Sequence, residues 1–212
     1  MDVMIKHFLK DIRVRAGLAL ISATLIGFGG WLLYSIYRHR ANEQAQLTFA
    51  AVLDRFTKLQ ENVAGDKAAW ELVARDLEQA YEQHRSSDFA PFYLGYEAEA
   101  ILEAGNVQES ISVLERMLQQ IDTAHPLYYL YKTKLNVIRS RAADKAVQEE
   151  GARELRALAD DIHNPCAGWA WYVIWHAAWV DQNDEVAQHA LQKLVAHKNW
   201  YTLAQAKSEF LA

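Results

Sequence analysis

A chain of 212 residues with 22 Lys and Arg against 27 Asp and Glu carries a formal charge of −5, and 51% of it is hydrophobic. That acidic balance is a poor match to nucleic acid, whose binding rests on phosphate neutralisation by basic side chains. A single cysteine, Cys166, excludes an intramolecular disulfide, so a folded domain must hold by packing.

The chain opens with a basic tail, residues 1–15, in which Val3, Ile5, Phe8, Leu9 and Ile12 alternate with Lys6, Lys10 and Arg13. This pattern predicts a short amphipathic helix on an anionic membrane surface. An uncharged run of 22 residues follows, from Ala16 to Tyr37. At about 1.5 Å per helical residue it spans roughly 33 Å, enough to cross the ~30 Å hydrocarbon core of a bilayer. A cleaved signal peptide would have a shorter apolar region and small residues after it, whereas here Arg38-His39-Arg40 follows. An uncleaved signal anchor is the better reading. Lys6, Lys10, Arg13 and Arg15 outweigh Asp2 and Asp11 on the leading side. That bias predicts a cytoplasmic N-terminus and a large domain outside the cytoplasm.

Within the run, Ala19, Ala23 and Gly27 recur every four residues. Such a ridge lets a second membrane helix approach closely, and it is also the ordinary composition of membrane helices. Both readings stand. Trp31, Tyr34 and Tyr37 lie toward the outer end, where an interfacial aromatic belt belongs.

From Ala41 onward, 16 basic residues face 25 acidic ones, a net charge of −9. Good helix formers dominate and no segment alternates with a period of two, so this part is predicted to be all-helical. Residues 38–87 hold two juxtamembrane helices. Ala45, Phe49, Val52, Phe56 and Leu59 form the stripe of the first, continuing the anchor without a break. Trp70, Val73, Leu77 and Tyr81 form the stripe of the second, after Gly65-Asp66.

Residues 88–212 are organised by three prolines. Pro91, Pro126 and Pro165 lie 35 and 39 residues apart, each where a helix should begin, with Asp88 and Asn164 placed to cap. Periods of this size belong to helix-hairpin solenoids. The first hairpin pairs Phe92–Leu102 with Val107–Ile121 across Ala104-Gly105-Asn106. If Gly105 is the tetratricopeptide turn, Ala98 is the small residue of the first helix and Ser110 replaces the usual Ala of the second. A second hairpin pairs Leu127–Ile138 with Val147–Ile162 around Ala142-Ala143-Asp144. A third pairs Trp169–Val180 with Val186–Val195 around Asp181-Gln182-Asn183-Asp184. The last helix, Trp200–Leu211, is placed to cover the open end, which a solenoid needs. The expected fold is all-α: an N-terminal transmembrane helix followed by a tetratricopeptide-like helical-hairpin solenoid.

A basic tail, one anchor, a helix running on from it and an acidic domain of degenerate hairpins together resemble the YfgM-like family. Local echoes are Lys6-His7-Phe8, Gly30-Trp31, the Ala/Gln-rich stretch Ala41–Ala51, and Phe89–Leu118 with Asn106 and Ser110. The chain departs from the pattern in placing Trp where small residues are expected in its third hairpin, and in lacking Gly in its last turn. Members of that family are ancillary subunits of the bacterial SecYEG translocon. The resemblance implies a single-pass inner-membrane protein with a periplasmic domain. Its implied partners are the translocon, periplasmic chaperones or emerging chains, and membrane lipid, with no cofactor and no small-molecule substrate. A scaffold for another envelope assembly, such as cytochrome maturation or cell division, is the alternative binding role. A membrane-anchored hydrolase is the alternative from a different class.

The chain carries no His-Glu-x-x-His, no Gly-x-Ser-x-Gly and no phosphate-cradling glycine loop. His163 and Cys166 have ligand spacing without a second pair nearby. His189 and His197, the Glu97, Glu99 and Glu103 cluster, and Glu149 with Glu150 read as solvated helix faces. The unusual local feature is Trp169, Trp171, Trp175 and Trp179, with Tyr172 and His176 between them. Trp171, Trp175 and Trp179 recur every four residues. Large aromatics at this spacing are core, or, with Tyr172, the lining of a protein-binding groove. The sequence leaves both open.

Overall fold

The computed structural model describes the backbone of residues 12–61, 66–125 and 127–211, and within those ranges the side chains of 31–204. Neither proline nor glycine occurs between Trp31 and Glu61. The first helix, α1 (Ile12–Glu61), accordingly runs unbroken past Arg38-His39-Arg40. Thr48 and Thr57 are accommodated by bonding back one turn, Thr48 Oγ1 to the Gln44 carbonyl and Thr57 Oγ1 to that of Leu53. Among the described residues no helix is long and apolar enough to cross a membrane. The basic tail up to residue 11 and the side chains of Ala19, Ala23 and Gly27 lie outside them.

Beyond α1 come α2 (Lys67–Gln83), α3 (Ala90–Glu103), α4 (Val107–Leu118), α5 (Tyr128–Arg139), α6 (Lys145–Asp160), α7 (Ala167–Val180), α8 (Asp184–Leu194) and α9 (Lys198–Leu211). No strand occurs among the described residues. Each helix packs on its sequence neighbour, and contacts also skip one helix at a time. Phe49 of α1 meets Tyr93 and Tyr96 of α3. Lys134 of α5 pairs with Glu99 of α3, and Tyr172 of α7 meets Trp200 of α9. In the other layer, Arg116 of α4 lies over the Tyr81 ring of α2, and Lys193 of α8 reaches Asp160 of α6 at 3.0 Å. Odd-numbered helices thus form one layer and even-numbered helices the second. This is the arrangement of a tetratricopeptide-like solenoid.

Two turns show the repeat most clearly. After α3, Gly105 takes φ +87°, its N–H donates to the Leu102 carbonyl and that of Asn106 donates to Ile101. After α7, Gln182 takes φ +55°, its N–H donates to Trp179 and that of Asn183 donates to Ala178. Both are the same six-to-one, five-to-two helix ending. The glycine expected in the last turn is replaced by a glutamine held in the left-handed region. Within the first hairpin, Ser110 Oγ donates to the Ala98 carbonyl at 2.7 Å, which allows a hydroxyl at a position suited to Ala. In the second, Gly151 is a close approach: a Cβ there would stand 2.5 Å from the Ser140 nitrogen.

The capping expectations need correction in two places. Asp88 does not cap α3, whose N-cap residue is Phe89. Its carboxylate instead accepts from Arg38 at 2.6 Å and from Asn42 at 2.7 Å, and its N–H donates to Asn42 Oδ1. Asn164 stands two residues before the N-cap position Cys166; its Oδ1 accepts from the Cys166 N–H and its Nδ2 donates to the Leu158 carbonyl. Pro91 sits in the first turn of α3 as expected, while Pro126 lies outside the described residues. Asp66, Asp144 and Asn183 do cap α2, α6 and α8.

The core divides into two clusters. One runs from α1 to α5 and is rich in aromatics, with Phe56 between Trp70 and Tyr96 and Phe49 among Phe89, Phe92, Tyr93 and Tyr96. The other holds α6 to α9 around Trp171 and Trp175. Helix α5 serves both, with Tyr131, Leu135 and Ile138 in the first and Val137 against the second.

Candidate protein-binding surface

Helix α7 is apolar nearly all round, so its aromatics cannot share one environment. Trp171 and Trp175 are buried, at 6% and 3% exposure. Trp171 turns toward α8, edge-on to His189 and beneath the Lys193 ammonium at 5.3 Å. Trp175 is interior and stacks on Trp179 at 6.1 Å. Trp179 is only half-buried, as are Trp169, Tyr172 and His176. The four-residue stripe therefore divides: its first two members are packing, and its third stands at the rim.

A different set is contiguous at the surface. Tyr172 meets Trp200 at 5.5 Å and His176 at 6.3 Å, and His176 meets Trp179 at 6.3 Å. Trp200 is half-buried, and Leu203, three residues further on α9, is 47% exposed. This band of partly covered rings lies on the odd-helix layer, where α7 meets α9. Aromatic rings in that state present apolar area with little conformational freedom left to lose, which suits a partner's apolar side chains. Trp200 belongs to the band although the local pattern around residue 175 gives no sign of it. Only its place at the start of a capping helix points there.

Electrostatics correct the reading of the acidic cluster. Glu97 is not on a solvated face: it is 4% exposed, and both of its oxygens accept from Arg116 at 3.2 Å. Burial outweighs that partner, aided by Glu78 and Glu109, and pushes the carboxyl up to about 7. It borders a cavity of about 210 Å³ shared with Glu71, Glu78 and Glu109 and relieved by Arg75. Glu99 is half-buried and paired, whereas Glu103, Glu149 and Glu150 are exposed.

No group of three or more metal-ligating side chains occurs among the described residues. His163 is exposed, and Cys166 is half-buried with its thiol pushed up by burial. His189 is exposed and His197 half-buried. Two openings, of about 340 Å³ between α5–α6 and α7–α8 and about 360 Å³ among α6, α7 and α8, are lined by mixed apolar and charged side chains.

No family model and no curated protein matches the chain. Among solved structures it is similar to a Podosopora anserina putative kinesin light chain with nearly identical TPR-like repeats. The identity is 17%, the match covers 83% of this chain and 93% of that one, and the TM-score is 0.42. At that overlap the likeness carries no conclusion about partners.

Proposed function

We propose that this is a membrane-anchored protein-binding module without enzymatic activity. The observation that carries the reading is α1, whose exposed Leu32, Leu33, Tyr34, Ile36 and Tyr37 lead without interruption into the packed helices of the repeat domain. Apolar side chains so densely exposed require a cover, and the uncharged run Ala16–Tyr37 that contains them is long enough for that cover to be a bilayer. The basic flank sets the direction, with the tail in the cytoplasm and the repeat domain in the periplasm of a bacterial inner membrane. The small-residue ridge Ala19-Ala23-Gly27 then meets a neighbouring membrane helix.

The finer assignment is to the Sec translocon, as an ancillary subunit that meets emerging chains or periplasmic chaperones. It is supported by the resemblance to the YfgM-like family and by the aromatic band of Tyr172, Trp179 and Trp200. Anchoring keeps the band at a high effective concentration near its clients, so weak individual contacts suffice. Purification of the full chain in mild detergent, followed by identification of what accompanies it, tests the assignment. SecY should be recovered; consistent recovery of other envelope assemblies without it contradicts the assignment.

A further inference from the structure

Where α1 leaves the apolar run, a cavity of about 310 Å³ opens between it and the end of α2. Tyr37, Arg40 and Gln44 supply one wall; Gln83, His84 and Ser87 supply the other. Ser87 is 6% exposed, yet its hydroxyl has no hydrogen-bond partner. A buried hydroxyl without a partner is a costly feature unless something fills the cavity beside it. Among the described residues Arg40 makes no ion pair, whereas its neighbour Arg38 is committed to Asp88. The Asp88 charge is therefore already neutralised. His84 is fixed by Thr48, with Nε2 3.1 Å from Oγ1.

We propose that this cavity binds a phospholipid headgroup, with the phosphate on Arg40 and Ser87 and an ammonium against the last turn of α2. A guanidinium and a hydroxyl are good phosphate donors. A helix C-terminus carries partial negative charge, which disfavours a bare anion but suits the ammonium of phosphoethanolamine. The level is also right. Arg40 lies three residues past Tyr37, about 4–5 Å along the helix axis, within the headgroup zone of a few ångströms outside the hydrocarbon. The site would hold the end of α2, and with it the start of the repeat domain, down on the membrane rather than leaving it at the end of a free stalk. This inference rests on the membrane reading above.

The test uses the full chain in neutral detergent, with native mass spectrometry after titration with phosphatidylethanolamine or phosphatidylglycerol, and calorimetry with inorganic phosphate. One phosphatidylethanolamine should be retained in preference to phosphatidylglycerol, and inorganic phosphate should give no binding heat. Arg40→Gln should weaken retention by about tenfold, the scale of one charge-assisted hydrogen bond. Ser87→Ala should weaken it by a smaller factor, with both variants melting as the parent does. Equal retention by parent and Arg40→Gln overturns the site, phosphate binding converts it to a free-anion site, and preference for phosphatidylglycerol removes the role of α2. Flotation with phosphatidylcholine vesicles separates the two readings. A chain that floats but fails the lipid test keeps the anchor and loses the site; a chain that does not float loses both.

Discussion

Gln182 and Gly105 occupy the same turn of their hairpins, but only one of them is suited to it. An L-residue in the left-handed region costs roughly 1–2 kcal/mol, partly offset by the chain entropy that glycine would lose. Gln182→Gly should therefore raise stability by about 0.5–1 kcal/mol, read from denaturant midpoints of the detergent-solubilised chain. Glu97 makes a pH-dependent contribution. Its carboxyl titrates near 7 when folded and near its ordinary 4.5 when unfolded, so between those values the folded state holds the extra proton. The stability it adds is full below about pH 4.5 and lost as pH rises through 7, an effect on the order of 3 kcal/mol. Melting should show that decline, and Glu97→Gln should flatten it; an unchanged profile in the variant assigns the pH dependence to other groups. These two features differ in legibility. A turn is written locally, and Asp181-Gln182-Asn183-Asp184 is visible as one. The burial of Glu97 depends on where α2 and α4 place Glu78 and Arg116, which no helical periodicity in α3 discloses.

At the scale of elements, the hairpins were legible because apolar spacing, turn residues and Pro91 act over a few residues. What Asp88 does was not. Capping is a local expectation, but the carboxylate is taken by Arg38 and Asn42, nearly fifty residues earlier on α1. That pair ties the connection before α3 to the helix emerging from the apolar run. Arg38 and Asn42 also hold the Asp88 carboxyl below its ordinary range. Their contribution is thus present at neutral pH and lost as pH falls through that lowered value. Arg38 and Asp88 are both more than half exposed, so the contribution is small and screened by salt. Asp88→Ala should lower the melting temperature at low ionic strength, with the difference shrinking in 1 M salt. A difference that persists in salt points instead to lost packing. The tryptophan stripe of α7 separates in the same way. Trp175→Ala removes a 3%-exposed ring and should cost about 3–5 kcal/mol. Trp179→Ala should cost much less in stability while reducing co-purifying protein. Comparable stability losses in the two would make the rim tryptophan core as well.

Across the whole molecule, two clusters of core share α5, and two layers of helices share the load of a chain with no disulfide. The repeat leaves its aromatic band at the end remote from α1, while Arg40, Ser87 and the Asp88 tie lie at the end where α1 enters. On the proposed reading, residence and recognition fall at opposite ends of one solenoid. That division depends on α1 being an anchor directed outward, which is the central claim. A reporter enzyme that becomes active only outside the cytoplasm, fused after Ala212 of the full chain, tests it most directly. Activity in intact cells, with the fusion in the membrane fraction, is the predicted result. A fusion active only when a cytoplasmic reporter is used instead would contradict the orientation and, with it, the proposed meeting with periplasmic partners.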